Sequence, residues 1–157
     1  MKGSFRDFLE AAPDAMVVVN ALGKITLVNS QTEKLFGYKR EELIHQPVEI
    51  LLPERFRGRH SGERTQFFAS PRLRPMGHGL ELFARRKDGT EFPADIALSP
   101  IETEDGIVVF GAVRDMTERK LAEKFKERNA ELERQLEEKN AQLEAARNEV
   151  AALKKRQ

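Results

Sequence analysis

The 157-residue chain contains no cysteine. It can therefore form neither disulfide bonds nor thiolate metal sites, and a reducing cytoplasm is the expected location. The sequence also lacks any apolar run of the roughly 18 residues that a membrane-spanning helix needs. Its charged N-terminus is not typical of a signal peptide. We expect no membrane segment in this chain.

An excess of charge of either sign is also missing. Lys and Arg total 27, Asp and Glu total 26, and the net charge is +1. Proteins that bind nucleic acid usually carry a strong basic excess, so no nucleic-acid partner is expected. The chain has no phosphate-binding glycine loop, no nucleophile elbow and no histidine-kinase phosphoacceptor segment. We therefore expect no enzymatic activity.

Glycine and proline disappear after residue 117, where the composition shifts to Glu, Lys, Arg, Ala, Leu, Gln and Asn. Nine of the ten phenylalanines precede this point. The shift predicts three parts: an N-terminal capping helix over 1–13, a globular domain over 14–116, and one long helix over 117–157.

Within the globular part, β-branched and alternating segments predict strands at 15–20, 24–29, 80–86, 91–102 and 107–116. The Asp-Gly pair in KDGT, 87–90, is typical of a hairpin turn. Helical segments are predicted at 5–12, 30–38, 39–43, 48–52 and 54–69. Ser30, followed three residues later by Glu33, resembles a capping pattern. This order predicts an α+β fold: a five-stranded antiparallel sheet with helices on one face.

Three segments of the sequence resemble the PAS domain family, over roughly residues 4–119. They are DAMVVVNALGKITLVNSQTEKLFGY, ARRKDGTEFPADIALSP and VVFGAVRDMTERK. The last contains an Asp-x-Thr connector similar to the one through which PAS domains join a signalling helix. The resemblance implies a sensor or dimerisation module of a bacterial two-component-type system. It also implies an output domain, such as a kinase, that these residues do not include.

The middle segment is most similar to the haem-binding PAS domain of FixL-type oxygen-sensing histidine kinases. There the residues after Leu-Pro also lead into an Arg-x-x-Arg-His-like helix whose histidine ligates haem iron, and His60 stands at that position. The resemblance implies haem b as cofactor and places Arg74 at a propionate-contacting position. Leu80 stands where that family has the arginine that stabilises bound oxygen. Carbon monoxide, nitric oxide or the iron redox state is therefore as good a signal as oxygen.

The residues themselves also favour a ligand role for His60. Phe56, His60 and Phe67 fall on one stripe of a helix, with the neighbouring arginines toward its edges and outside. Facing the sheet, His60 would meet an apolar hollow. The predicted cofactor contacts are His60, Arg74, Phe67, Leu80, Leu82, Ile96, Leu98 and Phe110. The alternatives are a hydrogen-bonded core histidine, in a haem-free interaction module, and a sensor of another small ligand. The other two histidines, His45 and His78, fall in predicted loops.

A heptad pattern runs through the last part of the chain. Position a holds Ala122, Asn129, Leu136, Leu143 and Val150, and position d holds Phe125, Leu132, Lys139, Ala146 and Leu153. Only Asn129 and Lys139 are polar, and a single Asn at a favours a parallel pair. We expect a homodimer through this parallel coiled coil and the N-terminal helix. A single solvated helix is the alternative.

Overall fold

The structure is a computed structural model that describes residues 5–72, 74–75, 81–104 and 106–156. It divides into two compact units, Met1–Thr117 and Glu118–Gln157. The predicted separation of 1–13 from 14–116 stays a prediction.

An antiparallel sheet forms the centre of the first unit. Its strands are β1 (Ala15–Asn20), β2 (Ile25–Val28), β3 (Arg74–Pro75), β4 (Leu82–Arg85), β5 (Glu91–Thr103) and β6 (Gly106–Asp115). Their order is β2-β1-β6-β5-β3, and β4 also pairs with β5. Because β3 and β4 pair with different stretches of β5, they share one edge of the sheet. Among the described residues the sheet thus has five positions, which confirms the predicted fold.

The helices follow the predicted order. They are α1 (Phe5–Ala11), α2 (Ser30–Phe36), α3 (Arg40–Leu43), a 3-10 helix (Val48–Leu51), α4 (Glu54–Ala69) and α5 (Thr117–Lys154). The cap of α2 differs from the capping pattern expected at Ser30. Asn29 is the N-cap, and its side chain accepts a hydrogen bond from the Thr32 N–H. Gly37 ends α2 at φ 76°, a left-handed conformation that glycine adopts without steric cost.

The two faces of the sheet have different covers. Residues that pair directly across antiparallel strands share a face, and successive residues alternate. Val17, Phe92 and Val113 belong to one face and lie in the hydrophobic core with Phe36 of α2. Phe110 lies on the opposite face, where its ring meets Phe5 of α1 edge-on at 5.4 Å. Helix α1 therefore covers the outer face, and the later helices cover the core face.

Hydrogen bonds of the Asn29 side chain connect α1 to the sheet. Asn29 is fully buried. Its Nδ2 donates to the carbonyl oxygens of Leu9 at 3.1 Å and Asp14 at 2.9 Å, and its Oδ1 accepts from the Met16 N–H at 2.9 Å. All polar atoms of this amide are thereby satisfied, so its burial stabilises one arrangement of α1, β1 and α2.

The second unit is one helix. From Glu118 to Lys154, α5 has no buried residue, and its large apolar side chains are exposed. They are Leu121, Phe125, Leu132, Leu136, Leu143, Val150 and Leu153. Among the residues that the structure describes, no helix combines the length and apolar character needed to cross a bilayer.

Candidate functional site

Helix α4 carries the predicted ligand residue, His60, and has the predicted bounds. Two ion pairs hold its first turn against the sheet. Arg55 Nη1 donates to Glu91 Oε1 at 2.7 Å, and Arg85 Nη1 donates to Glu54 Oε1 at 3.0 Å. These pairs are partly exposed, so they orient the helix more than they stabilise the fold.

The inward stripe of α4 differs in part from the predicted one. Phe56, His60 and Phe67 are half-buried, as expected, but Arg64 lies on the same stripe. The Arg64 side chain is only 17% exposed, although it was expected at the edge or outside. The reason is its partner: one helical turn beyond His60, Arg64 reaches the same carboxylate. The inward stripe of α4 is therefore mixed, aromatic at Phe56 and Phe67 and ionic at its centre.

Glu49, in the 3-10 helix, is that shared carboxylate. Its Oε1 lies 3.0 Å from His60 Nδ1 and 3.0 Å from Arg64 Nε. The Glu49 side chain is 11% exposed and the His60 side chain 25%. We call His60, Glu49 and Arg64 the Glu49 cluster. It shows that His60 has a polar partner on one side and does not face apolar surface alone.

Burial raises the pKa of Glu49, but hydrogen bonds from His60, the Glu49 backbone and Arg64 outweigh it, so the pKa lies below the ordinary glutamate value. Glu49 is therefore ionised at neutral pH. An ionised carboxylate only accepts hydrogen bonds, so Nδ1 of His60 must be the donor.

The Glu49 cluster also reaches the turn between β1 and β2. The Arg64 guanidinium lies directly over Gly23, where a Cβ on residue 23 would overlap Arg64 Cζ. Gly23 also has a φ of 78°. The left-handed φ favours glycine at this position, and a side chain there would also displace the Arg64 guanidinium. The Gly23 carbonyl oxygen accepts from the Val48 N–H at 3.0 Å, which joins the turn to the 3-10 helix.

The predicted sheet contacts do not all lie on one face. Ile96 pairs with Val113, Leu98 with Gly111, and Leu82 with Ala94. These ladders place Leu82, Ile96 and Leu98 together on the core face, where all three are half-buried.

Phe110 pairs with Ser99, one residue out of step with Leu98. Its side chain therefore lies on the outer face, against Phe5. This placement corrects the expectation that Phe110 contacts a cofactor beside Ile96 and Leu98.

Two predicted contacts lie wholly or partly outside the described residues. The backbone of Arg74 pairs with Leu98 in the ladder of β3 and β5, but its side chain is outside the described part of the structure. Leu80 is outside it as well, as is His78. His45 is exposed and adopts a φ of 67°. In the described parts of the chain, no group of three or more acidic, histidine or cysteine side chains is arranged to hold a metal ion.

A second cluster lies where β6 meets α5. Asp115 Oδ1 accepts from the backbone N–H and the hydroxyl of Thr117, at 2.8 and 2.5 Å. Its Oδ2 accepts from Arg86 Nη2 at 2.6 Å. Arg86 also donates to the Leu35 carbonyl oxygen and stacks on Phe92, 4.2 Å from the ring centroid. We call Arg86, Asp115 and Thr117 the Asp115 network. It joins the Asp-x-Thr connector to α2 and to the core.

A surface cleft of about 340 Å³ opens beside the Asp115 network. Its walls include Leu35, Arg86 and Val113. None of the eight predicted cofactor contacts belongs to the described lining, so this cleft is separate from the surface around His60.

Sequence reasoning missed Glu49, Arg64 and Arg86. Glu49 precedes His60 by eleven residues, and no local pattern links the two. Arg64 had a usable signal, because a residue four positions after His60 shares its helical face. Arg86 directly precedes KDGT, yet its partner Asp115 is 29 residues away.

Comparison with known proteins agrees with this geometry. The family model described as PAS domain matches residues 13–118. Sensor protein FixL of Bradyrhizobium diazoefficiens is 34% identical over 73% of this chain and 23% of that protein. Oxygen sensor protein DosP of Escherichia coli is 31% identical over 72% of this chain and 14% of that protein. The chain thus spans about a quarter or less of these relatives.

Solved structures agree as well. A PAS domain from Colwellia psychrerythraea superposes with a TM-score of 0.60 at 26% identity, covering 70% of this chain and 92% of that domain. The PAS domain of an HTR-like protein from Haloarcula marismortui gives a TM-score of 0.59 at 20% identity, covering 70% and 87%. The PAS fold is that of a sensor or interaction module of signal-transduction proteins. The chain belongs to the PAS domain family.

Proposed function

We propose that this chain is a sensory PAS module that binds haem b through His60 as the axial ligand. The observation that carries the proposal is the Glu49–His60 contact. With Nδ1 donating to an ionised carboxylate, Nε2 is the ring nitrogen left with a lone pair for a metal. When bound, haem would supply an iron centre that responds to a diatomic gas or to redox change.

The predicted contacts are chemically suited to such a group. Leu82, Ile96 and Leu98 offer an apolar surface on the core face of the sheet, and α4 carries Phe67 two turns after His60. All of these side chains are half-buried, so the described residues do not close completely over them. A single imidazole is the only protein ligand that a five-coordinate haem iron requires. Arg74 is the proposed partner of a propionate, through charge-assisted hydrogen bonds.

The nature of the signal follows from Leu80. A leucine side chain has no donor for bound oxygen, so carbon monoxide, nitric oxide or iron redox state is as suitable a signal as oxygen. One relative is named an oxygen sensor. For this chain we propose a gas or redox signal and do not specify oxygen.

Transmission would follow the continuous chain from β6 into α5, with Met116 between them. A change at the core face would reach Asp115, whose hydrogen bonds fix the start of α5. We propose that α5 pairs with a second copy as a parallel coiled coil and that a packed helix pair passes on small shifts. Opposite charges would meet in the pairs Arg128–Glu133 and Glu149–Lys154. The N-terminal helix, with exposed Phe8, would add to the dimer contact.

The partner of this module would be an output domain, such as a histidine kinase, in the cytoplasm. Signal-transduction histidine-protein kinase AtoS of Escherichia coli is 33% identical over 46% of this chain. We propose no nucleic-acid partner and no catalysis by these residues, on the grounds of balanced charge and absent catalytic motifs.

A second candidate function is a haem-free PAS interaction module, or a sensor of another small ligand. The Glu49–His60 contact is compatible with it, because Glu49 gives His60 a hydrogen-bond partner within the fold, as a structural histidine requires. In that case His60 is a structural residue.

Titration of the purified protein with haemin tests the proposal. The wild type is expected to develop a sharp Soret band that saturates at one haem per chain. His60→Ala is expected to lose that band or shift it to that of unligated haemin. A wild type that leaves haemin in its free spectrum would support the haem-free module instead.

A further inference from the structure

We propose that Glu49 is a positioning residue for His60, and that Arg64 moderates it by sharing the same carboxylate oxygen. This inference rests on the proposed function, since it concerns which nitrogen of His60 would bind iron and how strongly. Its parts are three side chains from two elements, brought together around Glu49 Oε1.

The first step concerns the tautomer of His60. A neutral imidazole carries one proton, on either nitrogen, and the hydrogen bond at one nitrogen decides which. Glu49 Oε1 accepts a hydrogen bond from Arg64 Nε and lies 3.0 Å from His60 Nδ1, so it is placed to accept the Nδ1 proton as well. Nε2 is then the unprotonated nitrogen. A histidine that binds a metal through Nε2 commonly donates its other N–H to a carboxylate in this way.

The second step concerns the strength of His60 as an iron ligand. A carboxylate that accepts strongly from Nδ1–H raises the basicity of the imidazole as a ligand. At Glu49 this effect is limited, because Arg64 Nε donates to the same oxygen at the same distance, 3.0 Å. The Arg64 guanidinium also lies directly over Gly23. Glu49 and Arg64 should therefore act on His60 with opposite sign.

Because substitutions of Glu49 and Arg64 should change His60 in opposite directions, general damage to the fold cannot produce both results. Glu49→Gln keeps the size of the side chain but weakens the acceptor. Arg64→Leu removes the arginine that shares the Glu49 carboxylate with His60. Glu54→Gln, in the first turn of α4, is the matched control, since Glu54 pairs with Arg85 and not with His60. Far-UV circular dichroism and melting curves establish that each variant is folded.

The first measurement uses the protein without haem. Isotope-edited NMR of the imidazole nitrogens, recorded at about pH 8.5, above the ordinary imidazole value of about 6.5, reports which nitrogen carries the proton. We expect the Nδ1–H tautomer in the wild type and in Glu54→Gln, and loss of that preference in a folded Glu49→Ala variant. An Nε2–H tautomer in the wild type would overturn the inference. So would an unchanged Nδ1–H tautomer in Glu49→Ala.

The second measurement uses the haem-loaded ferrous protein. Resonance Raman spectra should show the iron–histidine stretch at lower frequency in Glu49→Gln and at higher frequency in Arg64→Leu than in the wild type. Equal frequencies in all three would overturn the inference while the proposed function stands. Failure of the wild type to take up haemin would overturn the proposed function, and the tautomer measurement would still decide the role of Glu49.

Discussion

Arg86 and Asp115 form an ion pair across 2.6 Å at the point where β6 ends. Both side chains are less than one-third exposed, and the second oxygen of Asp115 is occupied by Thr117. Arg86 in turn contacts the Leu35 carbonyl oxygen and the Phe92 ring. Thr117, the first residue of α5, is therefore hydrogen-bonded within the first unit.

Replacing Arg86 tests how much this ion pair contributes to the free energy of unfolding. Arg86→Ala is expected to lower the free energy of unfolding by about 2–3 kcal/mol, because a half-buried charge pair and the packing on Phe92 are lost together. Urea unfolding measures the loss. Arg114→Ala is the matched control, since Arg114 pairs with Asp14 but is 61% exposed. The control should lose less than about 1 kcal/mol. Equal losses in the two variants would show that burial does not matter here.

The Asp115 carboxylate also predicts a pH dependence. Burial raises its pKa, but hydrogen bonds from Thr117 and Arg86 outweigh this and hold the pKa below the ordinary aspartate value. A lowered carboxyl pKa stabilises the fold above the ordinary value of about 3.9 and ceases to do so as pH falls through the folded value. The stability difference between wild type and Asp115→Asn should be largest near neutral pH and shrink as the pH falls below the ordinary aspartate value of about 3.9. A stability difference that grows on acidification would contradict the predicted direction of the pH dependence.

Among single polar residues of the first unit, we expect the replacement of Asn29 to cause the largest loss of stability. Asn29→Ala leaves the Asp14 carbonyl oxygen and the Met16 N–H without their side-chain partner, and leaves the Leu9 carbonyl oxygen with only the Ala12 N–H. Each orphaned buried group costs about 1–3 kcal/mol, so the loss should exceed about 3 kcal/mol. Asn20→Ala is the control, because Asn20 accepts from Leu22 and Lys24 in an exposed turn. Calorimetric melting compares the two, and a control as damaging as Asn29→Ala would count against the buried amide.

Exposed leucines on α5 predict self-association. In the proposed dimer, Leu136 and Leu143 occupy position a, and both are more than half exposed in the single chain. Replacing both with Lys should weaken the dimer at least about ten-fold, because four charges would face each other in an apolar seam. The control replaces Ala141 and Asn148, at the outward f position, with Lys. Sedimentation equilibrium measures each association constant. A wild type that stays monomeric at high concentration would disprove the coiled coil.

Strand and helix positions were predictable because local patterns decide them. The β-branched run at 15–20, the Asp-Gly turn at 87–90 and the Pro53 start of α4 all need only neighbouring residues. The fold class followed from their order. Ser30 was less decisive, because Asn29 could cap the same helix, and only the buried carbonyl partners of Asn29 select it.

The side of the sheet on which a residue lies was harder to predict. Strand β6 reads IVVFGAV, which is apolar at nearly every position, so alternation does not reveal which residues face the core. Pairing with β1 and β5 decides it, and Phe110 falls on the outer face. The Glu49–His60 contact was unpredictable for the same reason, since it depends on how the 3-10 helix packs against α4.

The central claim, a haem held by His60, is tested most directly by chemical rescue. His60→Gly leaves space for an imidazole molecule, and His45→Asn is a matched control at an exposed histidine whose left-handed φ asparagine tolerates. We predict that haemin gives the wild-type Soret band in His45→Asn, that His60→Gly loses it, and that added imidazole restores it. A Soret band in His60→Gly equal to that of the wild type before imidazole is added would contradict the assignment of His60 as the axial ligand.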